Sequence, residues 1–250
     1  MNKELYNFLI TSIAGISTLI GFLVIYIKKK DYNKIVVSSL SFASGVMVCT
    51  SVFELIPESI NLLRSNFSFL GTISLSILGI ILGVIISMII SYYVPETSNI
   101  SNKTLFKVGL LSMIAIILHN IPEGIATFMV SSKNINLGIS LAIAIAMHNI
   151  PEGISIAVPI YYSTYSKKKA FFYTLVSGLS EPLGAILCYL FLRNIINDII
   201  LGIVLSLIAG IMLEISLKIL LPNAKKYNDK IRIIMFFIIG IIFMLVKELI

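Results

Sequence analysis

Apolar residues along this chain come in long runs rather than in alternation. Short polar or basic stretches mark off eight of them, at 8–27, 35–56, 68–94, 105–130, 135–162, 170–192, 195–217 and 231–246. Most reach the roughly 20 residues that a helix needs to cross about 30 Å of hydrocarbon. Period-2 alternation is absent. A spanning backbone must satisfy its own hydrogen bonds, so the runs predict helices rather than a barrel. The expected fold class is an all-α integral membrane protein with eight transmembrane helices, forming one membrane domain over 1–250. The last run is the shortest, and Lys247 at its end would reach the interface along its aliphatic stem.

Composition agrees with this pattern. The chain is 58% hydrophobic and 12% charged, against about 25% charged in a soluble domain. The placement of the net charge of +7 points away from nucleic acid. Fourteen of the 19 Lys and Arg fall in the first, third, fifth and seventh connections, and five fall in the even connections and termini. The positive-inside rule puts the odd connections in the cytoplasm and both termini outside, in a multi-pass inner (cytoplasmic) membrane protein. An even span count requires the termini to share a side, as the charges do. Tyr26, Tyr92, Tyr93, Tyr161 and Tyr162 sit near run ends, as interfacial belts do. The first run lacks a strongly basic start and a small-residue cleavage pattern, and reads as a mature helix rather than a signal peptide. Cys49 and Cys188 both lie within runs and indicate no disulfide framework.

Two internal repeats are visible. His119-Asn120-Ile121-Pro122-Glu123-Gly124 recurs 29 positions later as His148-Asn149-Ile150-Pro151-Glu152-Gly153, on the fourth and fifth runs. A weaker repeat aligns Gly45, Met47, Ser51 and Pro57 with Gly210, Met212, Ser216 and Pro222, without gaps. These lie on the second and seventh runs, which cross in opposite directions. The pattern predicts an inverted repeat, spans 1–3 against 6–8 around central spans 4–5, with a site near the midplane.

Both histidines of the chain occupy the same place in the doubled motif. Positions three and four apart share a helix face, so His119, Asn120 and Glu123 line one face, and His148, Asn149 and Glu152 another. Pro122 and Pro151 free the carbonyls of Leu118 and Met147 and are expected to bend each helix beside the polar cluster. Imidazole nitrogen with carboxylate and amide oxygen suits zinc, iron(II) and manganese. Glu181, before Pro182 on span six, joins the candidate site, and Glu214 lies within span seven. Glu54 and Glu58 flank Pro57 near a span end, and read either as solvated residues or as further acids of the same cation site. Met47 reads as core packing. An intramembrane acid costs about 2.5–3.5 kcal/mol at the bilayer centre, so acids with no basic partner need protons, water or metal. An intramembrane metal-dependent hydrolase and a proton- or sodium-coupled carrier of another solute are the alternatives, though the zinc-protease pattern His-Glu-x-x-His is absent.

The doubled His-Asn-Ile-Pro-Glu-Gly, with Ser180-Glu181-Pro182-Leu183-Gly184 and Phe53-Glu54-Leu55-Ile56-Pro57-Glu58-Ser59, resembles the ZIP (Zrt/Irt-like) metal transporters over nearly the whole chain. The resemblance implies a binuclear centre between spans four, five and six. Glu123, His148 and Glu152, with His119, would form one position. Asn120, Glu123, Asn149, Glu152 and Glu181 would form the second, with Glu123 and Glu152 bridging. It implies import of zinc, with iron(II), manganese, cobalt and cadmium as further substrates, by movement of the metal-bearing helices against a static scaffold. Zinc and iron(II) are then transported substrates, with no resident cofactor. The expected partners are divalent metal ions and the lipid bilayer, with a homodimer as the candidate assembly. Three positions depart from the family pattern. Lys218 and Asn223 stand where acids are usual, and Glu214 where an aromatic is common.

Overall fold

The computed structural model describes residues 3–27, 32–93, 102–192 and 197–247. Every regular element among these is helical. Seven helices are long and apolar enough to cross a membrane: α1 (Glu4–Tyr26), α2 (Tyr32–Arg64), α3 (Phe69–Tyr93), α4 (Lys103–Ser132), α5 (Ile135–Thr164), α6 (Lys167–Phe191) and α7 (Asp198–Lys225). The eighth, α8 (Lys230–Lys247), has 18 residues and three basic residues at its ends. Side-chain caps start the later helices. Asn102 accepts from the Leu105 N–H, Asn134 from Asn136 and Leu137, Ser166 from Lys169, and Asn197 from Ile200. Asn134 alone separates the helix ending at Lys133 from the one starting at Ile135, so α4 and α5 lie antiparallel side by side.

One expectation from the sequence needs correction, the connection placed after residue 217. Pro122 and Pro151 each lie inside one continuous helix. The interruptions lie in α2 and α7, as π-helical segments at Thr50–Leu55 and Ile215–Leu220, each followed at once by a proline in the first turn of the next α-helical stretch. A proline there loses no hydrogen bond that the new stretch could have made. Both helices therefore continue past Pro57 and Pro222, and residues 218–225 are helix rather than connection. The expected polar connection at 93–104 falls mostly on 94–101, outside the described residues.

The inverted repeat extends beyond α2 and α7. The two π-helical segments are offset by 165 residues, as the aligned Gly, Met, Ser and Pro are. At Gly45 a side chain would collide with the carbonyl of Phe237 on α8, and at Gly210 with that of Ile80 on α3. The pair α2–α8 is thus matched by α7–α3. Likewise Gly21 of α1 meets the Ile150 carbonyl on α5, and Gly184 of α6 meets that of Ile121 on α4. The operation exchanges spans 1–3 with 6–8 and α4 with α5.

α3 shows how lipid inverts the usual packing rule. Its buried face is Thr72, Ser76, Gly79, Gly83 and Ser87, while Ile77, Ile81, Ile85, Met88 and Ile89 point outward. Small residues let helix backbones approach where no hydrophobic drive separates protein from tail. Hydroxyls add links. Ser59 donates to the Gly202 carbonyl at 2.7 Å, and Ser44 to that of Ser216 at 3.1 Å. Gly45→Ala and Gly210→Ala should each cost about 1–3 kcal/mol by overpacking, read as a lower melting transition in detergent. Gly71→Ala is the control, since its nearest neighbour is Ser68 Oγ at 3.4 Å. An unchanged melt for both buried glycines would overturn this account of the contacts.

Candidate metal centre

The doubled motif converges. α4 and α5 turn their His/Asn/Glu faces toward each other, and Glu123 stands between the two imidazoles. Its Oε1 lies 3.2 Å from His119 Nε2 and 3.1 Å from His148 Nε2. Glu152 Oε1 is 3.9 Å from His119 Nε2. The ring centroids of the two histidines are 5.9 Å apart. One ligand atom each from His119, Glu123 and His148 falls within 4.8 Å of the others, a spacing that one metal ion can span.

Burial is nearly complete. His119, Asn120, Asn149, Glu152 and Glu181 are 0% exposed, His148 1% and Glu123 9%. Among the described residues, no lysine or arginine forms an ion pair with Glu123, Glu152 or Glu181. Several buried atoms have no hydrogen-bond partner: His119 Nδ1, both amide atoms of Asn120, Asn149 Oδ1, both oxygens of Glu152 and Glu181 Oε1. His119 Nε2 also lacks hydrogen-bond alignment toward its neighbouring carboxylate. Native interiors rarely leave so many polar atoms unpaired in one place. Imidazole, carboxylate and amide oxygen make a donor set suited to a borderline divalent cation.

The motif glycines bring the sixth helix in. A side chain at Gly124, next to Glu123, would collide with the backbone carbonyl of Glu181; one at Gly153, next to Glu152, would collide with that of Thr18 on α1. α6 can therefore lie against α4 at the level of the site, and Glu181 joins it. Asn149 ties three helices together. Its Nδ2 donates at 2.9 Å both to Glu181 Oε2 and to the Ala14 carbonyl. Both donor hydrogens are used, leaving Oδ1 as its remaining coordinating atom. Asn120, its repeat mate, makes no side-chain hydrogen bond.

Other acids divide into two groups. Glu54, which the sequence alone reads as either a solvated end residue or a further acid of the site, has Oε2 3.8 Å from His148 Nδ1. It lines a cavity of about 360 Å³ together with Glu58, Glu123, His148 and Asp198. The cavity opens at the end of the bundle that carries Leu62, Val130 and Asp198. Asp198 had no signal in the sequence, because only folding brings the start of α7 beside the end of α2. Glu214 is elsewhere, accepting a 2.6 Å hydrogen bond from Ser87 between α7 and α3. Met47 is packed in the main core, as expected.

Comparison with known proteins agrees with this constellation. The profile of the family described as ZIP zinc transporter matches residues 98–248. A protein named zinc transporter ZupT from Clostridium perfringens is 40% identical over 276 aligned residues, covering 100% of this chain and 97% of the relative. Zinc transporter ZupT of Streptococcus mutans serotype c is 39% identical, covering 91% of each chain. Zinc transporter ZupT of Campylobacter jejuni is 35% identical, covering 88% of this chain and 87% of the relative.

The two asparagines should separate packing from coordination. Asn149→Ala removes two hydrogen bonds across α1, α5 and α6 and should destabilise the bundle by about 1–3 kcal/mol. Asn120→Ala breaks none and should lower the melting transition less than Asn149→Ala does. Equal shifts in the metal-free protein would contradict the assigned hydrogen bonds.

Proposed function

This chain belongs to the ZIP family of zinc transporters, and from that membership we propose that it imports zinc into the cytoplasm, with iron(II), manganese, cobalt and cadmium as further substrates. Residues 1–250 act as one transport unit. The observation that carries the reading is the pair of buried imidazoles, each within 3.2 Å of one shared carboxylate, Glu123. Two divalent ions share the group. Glu123, His148 and Glu152, with His119, hold one. Asn120, Glu123, Asn149, Glu152 and Glu181 hold the other, and Glu123 and Glu152 bridge. A bridging carboxylate makes two attractions, whereas an Asn offers one neutral carbonyl oxygen. Family membership favours transport over the hydrolase alternative, since the matched relatives are transporters.

The charge asymmetry sets the direction. The basic odd connections face the cytoplasm and the termini face out, in an inner membrane. The cavity leading to Glu123 and His148 lies at the end of Leu62 and Asp198, which is then the outer end. In this conformation the ion reaches the site from outside.

Uptake of radiolabelled zinc and iron into proteoliposomes tests the reading. Glu152→Gln should abolish uptake of both, while Asn149→Asp should change the rate or the zinc-to-iron preference, because it adds a charge at one position. Acidification should slow uptake, since imidazole and carboxylate bind metal only when deprotonated. Wild-type transport of both metals by correctly inserted Glu152→Gln would sink the bridging role. For orientation, a cysteine placed beside Arg64 should react with an impermeant thiol reagent added outside, and one beside Lys168 should not. The reverse labelling would invert the proposed direction.

A further inference from the structure

We propose that Glu54 Oε2 and His148 Nδ1 form a capture position for a divalent cation, filled from the cavity before the ion reaches the inner group; this rests on the import reading above. His148 is 1% exposed and uses its two nitrogens differently. Nε2 faces Glu123 at 3.1 Å. Nδ1 is buried with no hydrogen-bond partner and points toward the cavity, 3.8 Å from Glu54 Oε2. That separation exceeds the roughly 2.7–3.2 Å of a hydrogen bond. It fits two ligands of one ion. Zinc–nitrogen and zinc–oxygen bonds near 2.1 Å separate the two atoms by about 3.4 Å at the tetrahedral angle and about 4.2 Å in line.

Local structure aims Glu54 at this point. It lies in the Thr50–Leu55 π-helical segment, whose wider turn rotates its side chains away from the directions of a regular helix, and such segments recur at functional sites. The Glu54 side chain keeps 23% exposure, so an arriving ion can retain water on its cavity side. Glu58 and Asp198 line the same cavity and raise the local cation concentration. A neutral imidazole offers one lone pair at a time, its other nitrogen carrying the proton. His148 therefore serves the two positions alternately: as the ion passes from Nδ1 to Nε2, Nε2 gives up its proton and Nδ1 takes one up, by exchange with water in the cavity.

The inverted repeat supplies an internal comparison. By the 165-residue offset, Glu54, Glu58 and Asp198 correspond to Ile219, Asn223 and Asn33, all neutral. The hollow at the opposite end, about 260 Å³, is lined by Tyr32, Asn223 and Lys226 among others. There Lys226 Nζ donates to Asn223 Oδ1 at 2.9 Å. None of the residues that line this second hollow is acidic, whereas Glu54, Glu58 and Asp198 line the first.

Two measurements test the capture position. In crystals of cadmium-loaded protein, anomalous scattering should show an ion bonded to Glu54 and His148 Nδ1. It should persist in Glu152→Gln, whose inner group is impaired, and vanish in Glu54→Gln. In zinc uptake, Glu54→Gln should raise KM about tenfold, and Glu54→Asp should recover much of that loss. No ion there in either wild type or Glu152→Gln, or an unchanged KM for Glu54→Gln, overturns the proposal. So does a raised KM without the ion, since Glu54 would then act through its charge alone. Should Glu54→Gln not fold, the wild-type and Glu152→Gln crystals decide. The import reading fails separately, on the Glu152→Gln uptake assay.

Discussion

Carboxylates shut inside an apolar bundle set the terms for the rest of this structure. Glu123, Glu152 and Glu181 are almost wholly buried, with no lysine or arginine paired to them among the described residues. Each would cost a few kcal/mol at the bilayer centre if it stood alone. Their partners are two imidazoles and the amide of Asn149, which temper that cost without cancelling the negative charge as a fixed cation would. A buried lysine would form a permanent salt bridge and close the site to metal. Keeping the basic residues at the helix ends and the acids inside is what gives a mobile cation something to do.

Small residues make the assembly of ligands possible. The α6 donor reaches those of α4 and α5 because Gly124 lets the α6 backbone touch α4 beside Glu123, and Gly153 admits α1 in the same way beside Glu152. Each six-residue motif thus combines two functions that are usually far apart in sequence, a coordinating face and a contact point for the adjoining helix. The same exchange of side-chain volume for proximity joins α2 to α8 and α7 to α3. In lipid, where apolar burial gives little net drive, this close packing is the main source of cohesion.

Much of this was legible in the sequence. Span positions follow from hydropathy, because the bilayer fixes the length of helix it accepts. The doubled motif was legible because its repeat is literal and its spacing puts three candidate ligands on one helix face. The prolines fall into two kinds: Pro122 and Pro151 lie inside continuous helices, while Pro57 and Pro222 directly follow π-helical segments. Proline marks where a backbone bond is missing; whether the helix then deforms depends on what neighbours supply. Glu54 was underestimated because regular helical periodicity does not apply through a π-helical segment. Asp198 was invisible because its position beside Glu58 exists only in three dimensions.

The one-sided acidity of the two mouths has a consequence set by microscopic reversibility. For a carrier that couples to no second gradient, the ratio of maximal rate to KM must be equal in the two directions at zero membrane potential, whatever the side chains. Glu54, Glu58 and Asp198 can tighten binding at one face, and Ile219, Asn223 and Asn33 can leave it loose at the other, but these differences cannot move that ratio. They decide which solution each face is tuned to. With the capture position as proposed, the acidic mouth would saturate at scarce ion and turn over slowly once full, and the mouth of Asn223 and Lys226 would release readily and reload only at high concentration. Such a protein is a rectifier in its kinetics and remains reversible in its thermodynamics. Net accumulation has to come from whatever keeps free metal low behind the second mouth, or from the membrane potential acting on the charge of the ion.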